Sequence, residues 1–201
     1  MIADTDLDSQ SSGKAIAAMK SDVSDYRVAQ KVVHWLMAIL IMLDLYIAQK
    51  FGGVMEDWDR FESRTDHASV GTIVTILFII RIYLRWKHGA PPLPETMPRW
   101  QKWAAHFGHW GLYILIGCLI ASGILSAINA NSVIEPFGLF VLADGKGAEA
   151  GFLLFRQFHE LVTDAIIALI GIHILAALYH LIFTSDRSTQ RMLRFWSSTN
   201  K

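Results

Sequence analysis

Apolar positions gather into four runs along the chain: Val32–Ile47 (VVHWLMAILIMLDLYI), His67–Tyr83 (HASVGTIVTILFIIRIY), Trp103–Ile128 and Phe158–Phe183. A bilayer core of about 30 Å takes about 20 residues at about 1.5 Å of rise each. The two shorter runs reach that length once their Trp, Tyr, Lys and Arg flanks are included. The pattern therefore predicts an all-α membrane protein, a four-transmembrane-helix bundle. Trp35, Trp58, Trp86, Trp100, Trp103 and Trp110 fall near run ends, where an amphipathic ring prefers the headgroup level, and Trp196 lies beyond the last run.

The polar segments between the runs set an orientation. Residues 1–25 are rich in Asp and Ser and carry no apolar stretch leading to a cleavage site, so they read as a flexible cytoplasmic tail, followed by a membrane domain over 26–186 and a cytoplasmic C-terminal tail over 187–201. Lys14, Lys20, Arg27 and Lys31 precede the first run, Arg85, Lys87, Arg99 and Lys102 join the second to the third, and Arg187, Arg191, Arg194 and Lys201 follow the fourth. These basic segments predict cytoplasmic N- and C-termini. Glu56, Asp57, Asp59, Glu62 and Asp66 after the first run, and Glu135, Asp144 and Glu149 after the third, make the other two loops acidic and outward-facing. The longest loop, Asn129–Gln157, mixes apolar patches with glycines and reads as a lid on the membrane surface.

Composition sharpens this picture without changing it. The chain is 53% hydrophobic and 18% charged, with a mean hydropathy of +0.34, too apolar for an ordinary soluble domain of its 201 residues. Eighteen basic residues balance eighteen acidic ones, which excludes the global positive field of a nucleic-acid partner. The single cysteine, Cys118, sits in an apolar run, where it reads as a buried spectator thiol.

The chemistry lies in the histidines. His159 and His173 bracket the stretch HELVTDAIIALIGIH and are 14 positions apart. On an α-helix that spacing is about 40° short of four full turns and about 21 Å of rise, so both rings point the same way at two depths. One histidine on an apolar helix is usually a hydrogen-bonded packing residue, whereas two in register call for a shared explanation. A stacked pair of haems, each held through iron by axial imidazoles inside a helix bundle, supplies one. It demands a second imidazole at each depth. His67 opens the second helix at the level of His159, and His34 lies near the cytoplasmic start of the first helix at the level of His173. The expected pairs are His67 with His159 at the outer haem and His34 with His173 at the inner one.

Arg81 follows His67 by 14 positions, so it falls on the same helix face at the inner depth. A guanidinium there either pairs with haem propionates or snorkels to the headgroups. Gly71, one turn after His67, allows a macrocycle to lie against the backbone or allows close helix packing. Asp44, late in the first helix, reads as a proton relay, a cap or an interfacial residue.

These residues carry a resemblance. YRVAQKVVHWLMA in the first helix, DHASVG in the second, AAHFGHWGLYILIG in the third and FHE followed by GIHILAALYH in the fourth resemble the bacterial cytochrome b561 family, which is related to the di-haem b subunits of nickel-iron hydrogenases and formate dehydrogenases. The resemblance runs from about Tyr26 to Arg194. It implies two haem b groups, an inner-membrane location, and electron traffic between the periplasmic side and ubiquinone, in some members with superoxide as the donor. It also implies His34, His67, His159 and His173 as iron ligands. PPLPETMPRW stands where family members carry lysines, leaving Arg99 or Lys102 as the basic groups of that segment. On the quinone side, His109 and His180 are expected to border the pocket and deliver protons; the alternatives are that one of them replaces His34 at the iron, or that they face headgroups. For superoxide capture Arg156, one turn before His159, is the candidate. Two other classes remain beside the superoxide:ubiquinone oxidoreductase: an electron-transfer or anchoring subunit for a separate periplasmic dehydrogenase, and a cofactor-free transporter whose histidines relay protons.

Overall fold

The computed structural model describes residues 25–49, 57–184 and 188–195. Most of the 1–25 tail, Lys50, Glu56, Arg187, Trp196 and Lys201 lie outside the described residues, as do the side chains of Asp57, Trp58, Asp59 and Arg60. Four long helices carry the chain: α1 (Val28–Gln49), α2 (Asp57–His88), α3 (Arg99–Ile128) and α4 (Glu149–Phe183). Each holds a membrane-length apolar span, the shortest being the 21 residues Val28–Ala48, about 32 Å of helix. Their outward faces are apolar: Ile39, Ile79, Leu175 and Ile182 are more than 60% exposed, as lipid-facing residues must be. This is a multi-pass membrane protein.

The helices form two antiparallel hairpins, α1 with α2 and α3 with α4. Backbone approach is close within each hairpin and sparse between them, so the hairpins meet chiefly through side chains. Phe78 of α2 reaches Tyr113 of α3 with ring centres 6.1 Å apart, and a Cβ on Gly117 would stand 3.9 Å from the Phe78 ring.

Between α3 and α4 the chain folds over one end of the bundle. Strand β1 (Val133–Ile134) pairs antiparallel with β2 (Ala143–Asp144), and a 3-10 turn, Pro136–Gly138, lies between them. Ala130, Ile134 and Ala143 are buried there against Ala68, Ala127, Leu142 and Phe152. The Phe137 amide, at φ 56°, donates to Ser69 Oγ at 2.9 Å, fastening the turn to α2. Asp144 accepts from the amide and the ammonium of Lys146, each at 3.1 Å, and these contacts hold its carboxyl below the usual range. The loop is shorter than the pattern of polar residues suggests. Residues 149–157 belong to α4, because Phe152 extends the apolar face past Arg156 and Gln157 into the loop's own core.

The opposite end carries both described termini. There Lys31, with its side chain 3% exposed, binds Asp25 Oδ2 at 2.8 Å and the Arg194 carbonyl at 2.5 Å. Trp35 Nε1 donates to the Met192 carbonyl at 3.1 Å, Arg191 to that of Pro92 at 2.7 Å, and Thr189 to that of Ala177 at 3.1 Å. Part of the segment expected as a tail is thus a short helix, α5 (Gln190–Leu193), docked on the bundle. Its anchor is the buried Lys31, which from sequence reads only as an orienting charge.

Candidate functional site

α4 presents His159 and His173 about four turns apart, and each meets a ring from the other hairpin. His67 of α2 faces His159 with ring centres 6.0 Å apart and planes at 84°. His34 of α1 faces His173 with centres 6.5 Å apart and planes at 78°. An imidazole nitrogen binds a first-row metal at about 2.0–2.1 Å and lies about 1.1 Å from its ring centre, so two rings on one iron have centres about 6.3 Å apart. Both pairs have the spacing of axial ligands.

At the loop end both rings also have a partner at Nδ1. Ser122 Oγ donates its one proton to the Cys118 carbonyl at 2.6 Å, so at 2.9 Å from His159 Nδ1 it accepts. Asp44 Oδ1 lies 2.8 Å from His67 Nδ1 and, as a carboxylate, can only accept. Each Nδ1 thus faces an acceptor, which orients the ring and turns Nε2 away from that partner, the arrangement in which an outer partner fixes a metal-binding imidazole. Gly123 makes room for this arrangement, since a Cβ there would stand 3.2 Å from His159 Cε1.

His67 and His159 border a cavity of about 650 Å³ between the hairpins, within the range of about 300–1,000 Å³ usual for cofactor pockets. Its walls are mainly apolar, and Gly71 lies on one of them with open space where a Cβ would be. A planar macrocycle with axial imidazoles suits this donor set and shape.

Arg156 stands at the cavity mouth with Nε 2.8 Å from Glu160 Oε1, an ion pair along one helix face. Its guanidinium lies 6.0 Å from the Phe152 ring centre, and that of Arg64 lies 5.6 Å from the same ring. Sequence reasoning singled out Arg156 as a candidate but not its engagement by Glu160. It also left Asp44 open between a proton relay, a cap and an interfacial residue, and missed Ser122.

At the terminal end His109 of α3 joins the inner pair, its ring centre 5.6 Å from that of His173 and its Nδ1 donating to the Ala105 carbonyl. Arg81 lies over the Tyr113 ring at 5.7 Å, on the side of the bundle where His34, His109 and His173 gather. His180 lies two turns beyond His173, with Nδ1 3.3 Å from Thr184 Oγ1 and its ring 5.7 Å from that of Tyr179.

Four membrane helices enclosing imidazoles that face one another across two hairpins define a membrane electron-transfer protein of the b-type cytochrome class. The chain belongs to the prokaryotic cytochrome b561 family, whose sequence profile matches residues 25–195. It is 30% identical over 175 residues to cytochrome b561 homolog 2 of Escherichia coli, covering 84% of this chain and 90% of that one. It is 26% identical over 171 residues to a probable superoxide oxidase, CybB, of Yersinia pestis, covering 84% and 95%. It is also 26% identical over 179 residues to cytochrome b562 of Cereibacter sphaeroides, covering 84% and 95%. Family membership implies b-type haem and makes the chain a membrane oxidoreductase.

Proposed function

We propose that the chain is a superoxide:ubiquinone oxidoreductase of the inner membrane, carrying electrons from superoxide at the loop end, on the periplasmic side, through two haem b groups to ubiquinone at the cytoplasmic end. The observation that carries this reading is the pair of facing imidazole sets at two depths of α4, one with both Nδ1 atoms anchored. Haem held by two imidazoles supplies one-electron transfer without ligand exchange. His67 and His159 bind one group, His34 and His173 the other, and Arg81 offers its guanidinium to propionates at the terminal end. The apolar cavity walls keep water from the loop-end group, while the β1–β2 loop closes over it.

Arg156 and Arg64, both beside the Phe152 ring, supply positive charge at the cavity. Electrostatic steering is worth about 10–1,000-fold in association rate. Glu160 already offsets part of Arg156, so Arg156→Glu is expected to slow reduction by superoxide about tenfold, with the haem spectrum unchanged. Equal rates in stopped flow would remove Arg156 from the capture site.

At the terminal end His109, tied through Nδ1, takes up and delivers protons at Nε2, and His180 with Arg99 or Lys102 completes a quinone pocket. His109→Ala is expected to keep both haems and lose most quinone reduction; unaltered turnover would exclude the pocket.

The test of the whole reading is to quantify haem per chain in detergent and mix the oxidised protein with superoxide, watching the Soret and α bands. Rapid reduction, reversed by ubiquinone, is expected. Haems inert to superoxide but reducible by quinol would instead support the anchoring subunit for a separate dehydrogenase, a reading favoured by the Arg156–Glu160 pairing. A chain without haem ends both readings and leaves the proton-relaying transporter.

A further inference from the structure

Asp44 is a carboxylate on a membrane helix, 17% exposed at its side chain and 2.8 Å from His67 Nδ1. Such a group is costly in that setting unless it has a partner and a task. Its counterpart across the cavity is unlike it: His159 is held by the neutral hydroxyl of Ser122. The inner rings differ again. Among the described residues, neither His34 nor His173 has a side-chain hydrogen-bond partner; the rings of Trp35 and His109 lie beside them, and the Arg81 cation is near both. An anionic acceptor on Nδ1–H pushes electron density onto the imidazole and makes Nε2 a stronger donor, which favours the more highly charged oxidation state of a bound metal. A hydroxyl acceptor does so more weakly, because charge-assisted hydrogen bonds are about twice as strong as neutral ones.

We propose that Asp44 is a positioning residue that fixes the His67 ring through Nδ1 and, by its charge, holds the reduction potential of the loop-end haem below that of the haem at the terminal end. The proposal rests on the reading that His67 and His159 hold that haem. It gives the transfer a direction: an electron arriving at the loop end moves to a site of higher potential across the membrane. Asp44 acts through His67.

The test uses the full chain with both haems, comparing wild type with Asp44→Asn, Asp44→Glu and Ser122→Ala. Spectropotentiometry of the α band reads the two potentials, and electron paramagnetic resonance of the oxidised protein reads the ligand field at each iron. In Asp44→Asn the lower potential is expected to rise by about a tenfold shift in the reduction equilibrium, 59 mV for one electron, with the higher potential unmoved. Asp44→Glu, which keeps the anion, is expected to stay near wild type, and Ser122→Ala to shift the same haem by less. If Asp44→Asn loses the haem, Asp44→Glu carries the test: retention of the haem at a wild-type potential supports the role. Asn and Glu variants that behave alike, or an Asn variant in which both potentials move together, overturn it. A His67→Ala protein that keeps both haems fails the underlying assignment instead, whatever Asp44 does.

Discussion

Alanine in place of His159 is expected to lower the haem content of the purified protein from about two per chain to about one, leaving the spectrum of the terminal-end group intact. His159 faces His67 with ring centres 6.0 Å apart, a pair built from one imidazole of each hairpin. Alanine leaves His67 anchored by Asp44 but without the imidazole that would hold the group from the other hairpin. His173→Ala is expected to remove the other group. Because His173 faces His34 at 6.5 Å and His109 at 5.6 Å, His34→Ala and His109→Ala then separate ligand from neighbour. Loss of haem in the first and retention in the second is the expected pattern, read by the pyridine haemochrome assay with electron paramagnetic resonance. A His159→Ala protein with full haem content would overturn the site.

The second large effect is expected at Gly147, which no ligand argument touches. A Cβ there would run into the backbone of Asn129, its Cα, carbonyl carbon and oxygen. Backbone cannot swing aside as a side chain does, so the loop must shift. Gly147 also donates its amide to the Ala130 carbonyl at 3.1 Å, the contact that brings the loop back to the end of α3. Gly147→Ala is expected to cost about 1–3 kcal/mol and to unseat the β1–β2 loop from the cavity it covers. Faster cleavage between residues 130 and 148 in limited proteolysis, with faster loss of the loop-end haem on dilution, is the predicted outcome. Wild-type protease resistance would show that the loop accommodates the methyl.

The helices and the histidine pairs were legible because both follow from the helical period. An apolar run of bilayer length and two rings 14 positions apart state their consequences before any fold is known. The start of α4 was not legible, since Arg156 and Gln157 interrupt the apolar pattern and the compensating contacts of Phe152 are tertiary. Ser122 was hidden for a different reason. A serine in an apolar helix commonly bonds the carbonyl four residues back, as this one does with Cys118, and only the fold shows that its lone pairs serve His159. Asp44 was visible as an intramembrane charge, but its partner lies 23 positions away on another helix at a depth the sequence fixes only to a turn. Lys31 contributes to orientation in one reading and to the docking of α5 in the other, and charge counting cannot tell these apart.

The division into two hairpins bears on how the protein is made. Each hairpin can enter the bilayer as a separate unit, and little backbone contact then draws the two together. Every proposed ligand pair takes one imidazole from each: His34 and His67 from the first, His159 and His173 from the second. In that scheme haem acts as a cross-link closing the two halves at two levels, and the supply of the pigment, more than the chain's own packing, sets the pace at which nascent protein matures.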